Sequence, residues 1–303
     1  MNRFAPPLLA LAACALAAGP AAAQFGSLPN IFGTAQSVKK IGEGLRKIDE
    51  PEEIKLGGDL AGMLLGAAPL IDDPAKQAYV NRLGRWLALH SERPGLPWKF
   101  GIVESDDFNA FSTPGGYVLI TRGLFDGMRS ESELAGVLGH EVAHVVKKHH
   151  LAALQKRLRN QSLGEMRNYF SIRTGSGIAD TFFSAMLDAG RDLYVNGLDH
   201  GDEYEADRMG VVIAARSGYS PYGLGGVLQT LTANHDESRY ALHKRSHPLP
   251  IDRIARLDSA MGARLDGLAG LVDDVPAFGA LRNPPPPPPE PAAPARRPAR
   301  RKS

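Results

Sequence analysis

Two histidines and a glutamate near the middle of the chain have a spacing that could bind a metal ion. His140, Glu141 and His144 stand in the order His-Glu-Xaa-Xaa-His. On a helix, residues four apart lie on one face, so the two imidazoles could bind the same zinc ion. Glu141 lies about 100° further round the helix and could accept a proton from an attacking water molecule. The alternative is two partly exposed helix histidines beside an ordinary glutamate.

A third ligand would distinguish these alternatives, and one candidate is His150. It lies ten residues after His140, where metzincins have a histidine. The metzincin motif also needs a glycine at the intermediate turn, and this chain has Lys147 there. We therefore expect His150, with His149, to belong to the polar end of the same helix, close to its C-terminal dipole.

The other candidate is Glu203, which precedes a helical apolar run over Met209–Ala215. Asp207 lies four residues after Glu203 and shares its helix face, whereas Glu205 points elsewhere. A helix crossing the first one could bring Glu203 to the metal. Asp207 would then be placed to hydrogen-bond one of the metal-binding histidines from behind. The alternative is a solvated acidic first turn.

The elements around these residues follow from hydrophobic periodicity. The pattern predicts one helix beginning at Pro51 and another after Asp73-Pro74. Two short strand-like runs follow, over 98–103 and 117–121, separated by turn residues that include Pro114-Gly115-Gly116. From Ser130 to about residue 262 the pattern is almost entirely helical. These elements predict an α+β fold that is mainly helical, with a small sheet and an active-site helix.

Both ends of the chain are predicted to lie outside this domain. Residues 1–23 begin with a basic residue, continue with a short apolar run and end in three alanines, as secretory signal peptides do. Residues 276–303 contain six consecutive prolines and several arginines, which favours a disordered polyproline tail. We assign 24–49 to a linker or helix and 50–275 to the folded domain.

The predicted leader indicates export, with the periplasm as the destination. We favour cleavage after Ala23, although Leu11-Ala12-Ala13-Cys14 also resembles a lipobox and would make Cys14 a lipid anchor. Cys14 is the only cysteine in the chain, so the domain has no intramolecular disulfide. A domain without cysteine is compatible with an oxidising compartment.

The charge of the domain argues against nucleic acid as a partner. Of the formal net charge of +2, residues 282–303 contribute +5 and Arg3 contributes +1, which leaves −4 for residues 24–281. A mildly acidic domain of this kind does not offer the basic surface that nucleic acids require.

Taken together, the motifs resemble those of one metallopeptidase family. The pairing of His-Glu-Xaa-Xaa-His with Glu203 and Asp207 resembles the gluzincins HtpX, the CAAX prenyl protease and BepA, peptidase family forty-eight. The similarity covers roughly 50–262. Four further segments resemble those of exported bacterial members: Asn109–Phe111, Pro114–Tyr117, Thr121–Leu124 and Ser246–Arg253. The chain lacks the membrane-spanning helices of HtpX and the prenyl protease and the helical repeats of BepA. We therefore do not expect prenylated substrates or a BepA-like partnership.

The resemblance implies a zincin-like fold and a set of site residues. It implies one Zn²⁺ per chain with Glu141 as the general base, and with these ligands: His140, His144 and Glu203. It further implies that Asp207 and Arg253 support the site.

The same resemblance gives His247 one of two roles: it stabilises the developing oxyanion, or it occupies the open metal position at rest. The stretch 234–246 before it is polar, which favours a surface loop that could move His247 like a gate.

The resemblance also implies an edge strand to which an extended substrate adds as a further strand. We place this edge at Asn109 and the strand containing Tyr117, Val118 and Leu119.

These observations predict a zinc endopeptidase that acts on unfolded or misassembled envelope proteins, with a possible association with the outer membrane. The main alternative is an envelope chaperone or assembly factor on the same zinc scaffold. Such a protein would have no need for Glu141. An adaptor acting through the proline tail is a lesser alternative.

Overall fold

The computed structural model describes residues 48–160, 190, 193–234, 237–268 and 270–282. The predicted signal peptide, Cys14 and the proline run lie outside the described residues. Three strands are present in the described part: β1 (Lys99–Val103), β2 (Ala110–Thr113) and β3 (Tyr117–Thr121).

The helices that precede the sheet or follow it directly are α1 (Glu50–Ala67), α2 (Pro74–Leu89), α3 (Arg122–Gly127), α4 (Glu131–Lys147) and α5 (His149–Asn160). Those nearer the C-terminus are α6 (His200–Arg216), α7 (Gly223–Ala233), α8 (Glu237–Ser246), α9 (Pro250–Met261) and α10 (Pro276–Arg282), with a 3₁₀ helix over Gly262–Leu268. The prediction of a mainly helical α+β fold is confirmed. No helix among the described residues is long and apolar enough to cross a membrane.

The first two helices begin where their capping residues predict. The Asp49 side chain accepts a hydrogen bond from the Glu52 N–H, and the Glu52 side chain reciprocates, which forms a capping box at the start of α1. The Asp73 side chain accepts from the first N–H groups of α2, which has Pro74 at its first position.

The sheet has the strand order β1-β3-β2, which corrects the predicted position of its edge. β3 pairs in parallel with β1 on one side and antiparallel with β2 on the other. The backbone of Tyr117, Val118 and Leu119 is therefore paired on both sides and cannot accept a further strand. The edge strands are β1 and β2, and β2 begins directly after Asn109. A strand as short as β2 left little pattern in the sequence, although the Pro-Gly-Gly turn before β3 is typical of a hairpin.

A buried glutamate on α1 ties four parts of the fold together. Glu53 is fully buried and accepts hydrogen bonds from Arg93 Nη1 at 2.6 Å and from Lys148 Nζ at 2.6 Å. It also accepts from the backbone N–H of Gly115, in the turn between β2 and β3. Burial opposes the charge of Glu53, but the two cations hold the pKa of its carboxyl below the usual value.

The main core lies between the sheet, α2 and the helices that follow. It contains the largest fully buried side chains of this region, Phe108, Phe125, Phe278, Leu87, Ile102, Ile120, Met128, Leu134 and Leu138. A smaller cluster joins α1, α5 and residues 193–194, through Leu56, Leu60, Leu151, Leu154 and Tyr194. α4 lies between these clusters and packs against α2, β2, α6 and α7.

Two segments predicted to be irregular are helical. α10 shows that residues 276–282 belong to the fold and not to the disordered tail, because Phe278 is fully buried against Tyr79 and Phe125. α8 occupies most of the stretch predicted as a surface loop before His247, with Tyr240 buried against Phe108. In both segments a single buried aromatic residue anchors an otherwise polar or short sequence.

Candidate metal centre

The helix that carries the His-Glu-Xaa-Xaa-His sequence is buried almost throughout its length. It starts at Ser130, whose hydroxyl accepts a hydrogen bond from the Glu133 N–H. The side chains of 131–145 are all buried, including His140, Glu141 and His144. The alternative of two partly exposed histidines is therefore wrong.

A contact between glycines lets a second helix cross α4 at the histidines. A Cβ atom on Gly210 of α6 would lie 2.6 Å from the backbone nitrogen of His140, and one on Gly139 would lie 2.7 Å from the Gly210 carbonyl oxygen. Only residues without a side chain allow backbones to approach so closely. The crossing sets the first two turns of α6, with Glu203 and Asp207, opposite the histidines of α4.

Four side chains meet at this crossing. His140 Nε2 lies 3.0 Å from His144 Nε2, and Glu203 Oε1 lies 3.4 Å from His144 Nε2. Glu203 Oε2 lies 3.7 Å from His140 Nε2 and 3.6 Å from His247 Nε2. Donor atoms of His140, Glu203 and His247 all lie within 4.8 Å of one another, as a shared metal ion requires.

The donor set fits a metal ion in its chemistry. Glu203 is 1% exposed, and its Oε2 has no hydrogen-bond partner among the described residues. A buried, unpaired carboxylate oxygen is unfavourable unless a cation or a proton satisfies it. Burial raises the pKa of Glu203 to about 7 when no metal charge is present. Three imidazole nitrogens and this oxygen are ligand types that a divalent transition metal takes.

The second acid of α6 lies behind His140. Asp207 Oδ1 is 2.9 Å from His140 Nδ1, and Arg253 holds Asp207 through two bonds, at 2.5 Å from Nη2 and 2.9 Å from Nε. Burial opposes ionisation of Asp207, but Arg253 and His140 hold its pKa below the usual range. Burial also lowers the pKa of His140, and the bond to Asp207 more than offsets this, so that the pKa is raised. Asp207 and Arg253 therefore lie together behind His140, in the supporting position that the resemblance implied for both.

Glu141 lies beside the donor atoms at the junction of two cavities. Its carboxyl group is buried, and burial raises its pKa above the ordinary value for glutamate. Asn109, Ala110, Glu141 and His247 line both cavities. One cavity continues between apolar side chains of α4 and α7, and the other continues towards His144, His150 and Tyr194. The amide oxygen and nitrogen of buried Asn109 have no hydrogen-bond partner among the described residues.

The sequence predicted that His149 and His150 belong to the end of α4. This prediction is wrong. α4 ends at Lys147, and Lys148 adopts a left-handed conformation with φ of 60°, the only positive φ of a non-glycine residue in the described part of the chain. His149 and His150 are buried at the start of α5. His150 lines a cavity of the site. Among the described residues, the group of side chains close enough to share a metal ion contains Glu203 and does not contain His150.

The partner of His144 is a residue that the sequence did not indicate. His149 Nδ1 lies 3.0 Å from His144 Nδ1, and His149 Nε2 lies 3.2 Å from Glu205 Oε2. Glu205 also pairs with Lys147 at 2.7 Å. The run of two lysines and two histidines gave no local signal for the left-handed turn that creates these contacts.

A helix with His-Glu-Xaa-Xaa-His, a crossing helix with a buried glutamate and a three-stranded sheet define a zincin-like metallopeptidase domain. The profile of Peptidase family M48 matches residues 74–261. The chain therefore belongs to peptidase family M48, a metalloprotease family, as the sequence motifs had predicted.

Individual relatives support this membership. The chain is 31% identical over 235 residues to the beta-barrel assembly-enhancing protease of Escherichia coli K12, covering 76% of this chain and 46% of that protein. It is 27% identical over 197 residues to the Metalloprotease LoiP of the same organism, covering 64% of this chain and 75% of that protein. It is 28% identical over 152 residues to the Mitochondrial metalloendopeptidase OMA1 of Arabidopsis thaliana, covering 50% and 29%. The chain thus spans about half the length of the assembly-enhancing proteases.

Proposed function

We propose that this protein is a zinc-dependent endopeptidase with ligands His140, His144 and Glu203 and with Glu141 as general base. One observation carries the proposal: the ring nitrogens of both histidines and the carboxylate of Glu203 lie close together in the interior. The buried carboxyl group of Glu141 lines the same site and is not one of these ligands. Two histidines and one glutamate form a ligand set typical of catalytic zinc. When bound, the zinc would supply a Lewis acid that polarises a carbonyl group and lowers the pKa of water.

The residues of the chain would then move the protons. Glu141 accepts a proton from the attacking water and passes it to the nitrogen of the leaving amine. Burial raises its pKa, which makes Glu141 a stronger base than an exposed glutamate. Asp207 accepts the Nδ1–H of His140 and so directs its Nε2 to the centre, and Arg253 holds Asp207 in place.

His247 is proposed as a fourth ligand of the resting centre. Its Nε2 lies 3.6 Å from Glu203 Oε2, and its side chain is 12% exposed. Four protein ligands leave no position for water or substrate, as in structural zinc sites, whereas catalytic sites keep one position open. Displacement of His247 would therefore be required for activity.

The edge strand β2 is the proposed binding site for an extended polypeptide. β2 lies along the site, since Asn109, Ala110 and Ser112 line the cavity that contains Glu141 and His144. The unpaired amide of Asn109 could accept from and donate to a substrate backbone. The Tyr194 hydroxyl donates to the Ser112 carbonyl oxygen at 3.0 Å, a bond that an added strand would replace.

For substrates and location, we propose unfolded or misassembled proteins of the bacterial envelope, cleaved after export to the periplasm. The name of the beta-barrel assembly-enhancing protease supports this assignment, as does the signal-peptide pattern of residues 1–23. An envelope chaperone on the same zinc scaffold is the alternative. It would explain the metal ligands but would leave the buried Glu141 without a role.

The test is cleavage of casein by the purified protein and its variants. We expect the parent to cleave and chelation to stop it, with recovery on adding zinc. Glu141→Gln should reduce the rate by about 10²–10⁴ while zinc content stays near that of the parent, because Glu141 acts on water and is not a ligand. Glu203→Ala should lose zinc.

Retention of activity within about tenfold by Glu141→Gln would contradict the general-base assignment. A parent that binds zinc but cleaves no unfolded protein, even after removal of the His247 imidazole, would favour the chaperone alternative.

A further inference from the structure

The ring nitrogen of His144 that faces away from the centre meets a second histidine. His144 Nδ1 and His149 Nδ1 are 3.0 Å apart, and both rings are almost completely buried. On the far side of His149, its Nε2 lies 3.2 Å from Glu205 Oε2 and 3.9 Å from Asp202 Oδ1. Lys147 Nζ holds the other oxygen of Glu205 at 2.7 Å.

We propose that His149 and Glu205 are positioning residues that orient His144 as a zinc ligand. This inference rests on the proposed function in one respect, which is that His144 binds zinc through Nε2. The pair does for His144 what Asp207 and Arg253 do for His140.

The direction of the hydrogen bonds follows from the ligand role. If Nε2 of His144 gives its lone pair to the metal, the proton of the neutral ring must be on Nδ1. Among the described residues, His149 Nδ1 is the hydrogen-bond partner that faces this proton, so His149 Nδ1 must carry no proton. The proton of His149 then lies on Nε2 and is donated to the Glu205 carboxylate. In this series of hydrogen bonds, each donor faces one acceptor, and both imidazole rings are therefore held in one orientation.

The backbone explains how two histidines five positions apart can meet. On a continuous helix they would point about 140° apart and could not touch. The left-handed conformation of Lys148 turns the chain between α4 and α5 so that His149 folds back on His144. Lys148 Nζ is bound to buried Glu53 at 2.6 Å, and its N–H donates to the carbonyl oxygens of His144 and Val145, so the turn is held at both ends.

The experiment measures zinc affinity by competition with a chromogenic chelator, independently of any peptidase activity. His149→Ala should raise the zinc Kd by about 10–100-fold, the usual effect of losing a hydrogen-bond partner of a ligand. His149→Asn should recover most of the affinity, because its amide oxygen can take the place of Nδ1 as acceptor. Glu205→Gln should weaken binding less than His149→Ala and should have no further effect in the His149→Ala background.

The matched control is His150→Ala, which removes a buried imidazole from the same site and whose ring centroid lies 5.4 Å from that of His144. It should leave the zinc Kd within about threefold of the parent, since His150 is not bonded to His144. The visible spectrum of the cobalt(II)-substituted protein gives a second readout. It should change in His149→Ala and return in His149→Asn.

Equal losses from His149→Ala and His150→Ala, or a Kd unchanged by His149→Ala, would overturn the proposal. Failure of the proposed function looks different: the His149 variants would shift the zinc Kd as expected while the parent cleaved no polypeptide. A fault in the ligand set itself would appear as unchanged zinc binding in Glu203→Ala.

Discussion

Each histidine at the centre has one ring nitrogen turned inward and a partner for the other. His140 Nδ1 faces Asp207, His144 Nδ1 faces His149, and His247 Nδ1 lies 2.9 Å from the Ser246 hydroxyl. The three Nε2 atoms thus stay available for the proposed metal ion. The rings are held in this orientation by hydrogen bonds from behind, so the centre is preorganised before any ion binds.

His247 has the weakest of these three attachments. Ser246 is a neutral neighbour of His247, whereas Asp207 is an ion-paired carboxylate on another helix. If His247 closes the resting centre, His247→Ala should increase casein cleavage at equal zinc occupancy, because a ligand position becomes open. The rate of the two proteins on the same casein preparation checks this, with the exposed His200→Ala as the unchanged control.

A fall in that assay would mean the opposite role. Loss of a single donor to an oxyanion typically reduces turnover by about 10²–10³. A decrease of that size in His247→Ala would assign His247 to stabilising the transition state and would remove the gating proposal.

The crossing of α4 and α6 depends on Gly210 and sets the geometry of the proposed metal centre. An added Cβ would lie 2.6 Å from the His140 nitrogen and 2.8 Å from its Cα, so the helices must separate. We expect Gly210→Ala to lower the free energy of unfolding by about 1–3 kcal/mol and to weaken zinc binding, since Glu203 lies on the displaced helix. Urea unfolding and zinc analysis measure both effects.

Gly201→Ala is the control within the same helix. A Cβ at Gly201 meets no atom within 4 Å, so alanine should leave zinc content unchanged and should not destabilise the protein. If the two variants behaved alike, the contact between the glycines would have no part in forming the site.

The ion pairs of buried Glu53 join α1 to Lys148, the residue at the end of α4. Glu53→Gln leaves Arg93 and Lys148 with a neutral partner and should reduce stability at neutral pH by about 3 kcal/mol. The pKa of Glu53 is below its usual value in the folded protein, so its contribution is present above the unfolded-state pKa and is lost as pH falls through the folded-state pKa.

The difference between parent and Glu53→Gln should therefore be large at pH 7 and shrink below pH 4.5. Denaturant unfolding at several pH values measures it. Glu50→Gln is the matched control, because Glu50 also pairs with Arg93 but is 58% exposed, and an exposed pair contributes about 1 kcal/mol or less. A difference that did not depend on pH would exclude an ionised Glu53 as the source of the stability.

The site residues could be predicted from the sequence where two of them lie on the same helix, because their spacing shows that they share a face. The faces shared by His140 with His144 and by Glu203 with Asp207 follow from helix geometry alone, and the structure brings both pairs together. The position of the edge strand could not be read in this way, since it depends on which strands pair across the sheet. The contact between His144 and His149 depends on a left-handed lysine, for which the sequence offers no local signal.

Across the whole molecule, the last described segment contacts the N-terminal end of α4, the helix that carries His140 and His144. The Glu131 N–H donates to the Asp274 side chain, and the Ser132 N–H donates to the Asp273 carbonyl oxygen. The Ser132 hydroxyl also bonds the Asp273 carboxylate at 2.5 Å. These groups satisfy N–H donors that a helix start leaves unpaired.

Phe278 attaches this segment to the core, so its removal should destabilise the whole domain. Its ring is fully buried and contacts Tyr79 of α2 and Phe125 of α3. Phe278→Ala should lower the free energy of unfolding by about 3–5 kcal/mol and should also reduce zinc retention during denaturant titration. Val272→Ala, in the same segment but 42% exposed, should change stability by less than about 1 kcal/mol. Equal effects of the two substitutions would show that α10 is not part of the cooperative fold.

The attachment of 273–282 to the start of α4 also has a consequence for the order of assembly. The proposed zinc ligands are complete in the chain at residue 247, but the helix that carries two of them lacks its N-terminal partners until Asp273 and Asp274 arrive. A polypeptide synthesised only as far as residue 272 would therefore hold these histidines on a helix whose start is capped by Ser130 alone. Hydrolytic competence would be acquired late, once residues 273–282 have joined the fold.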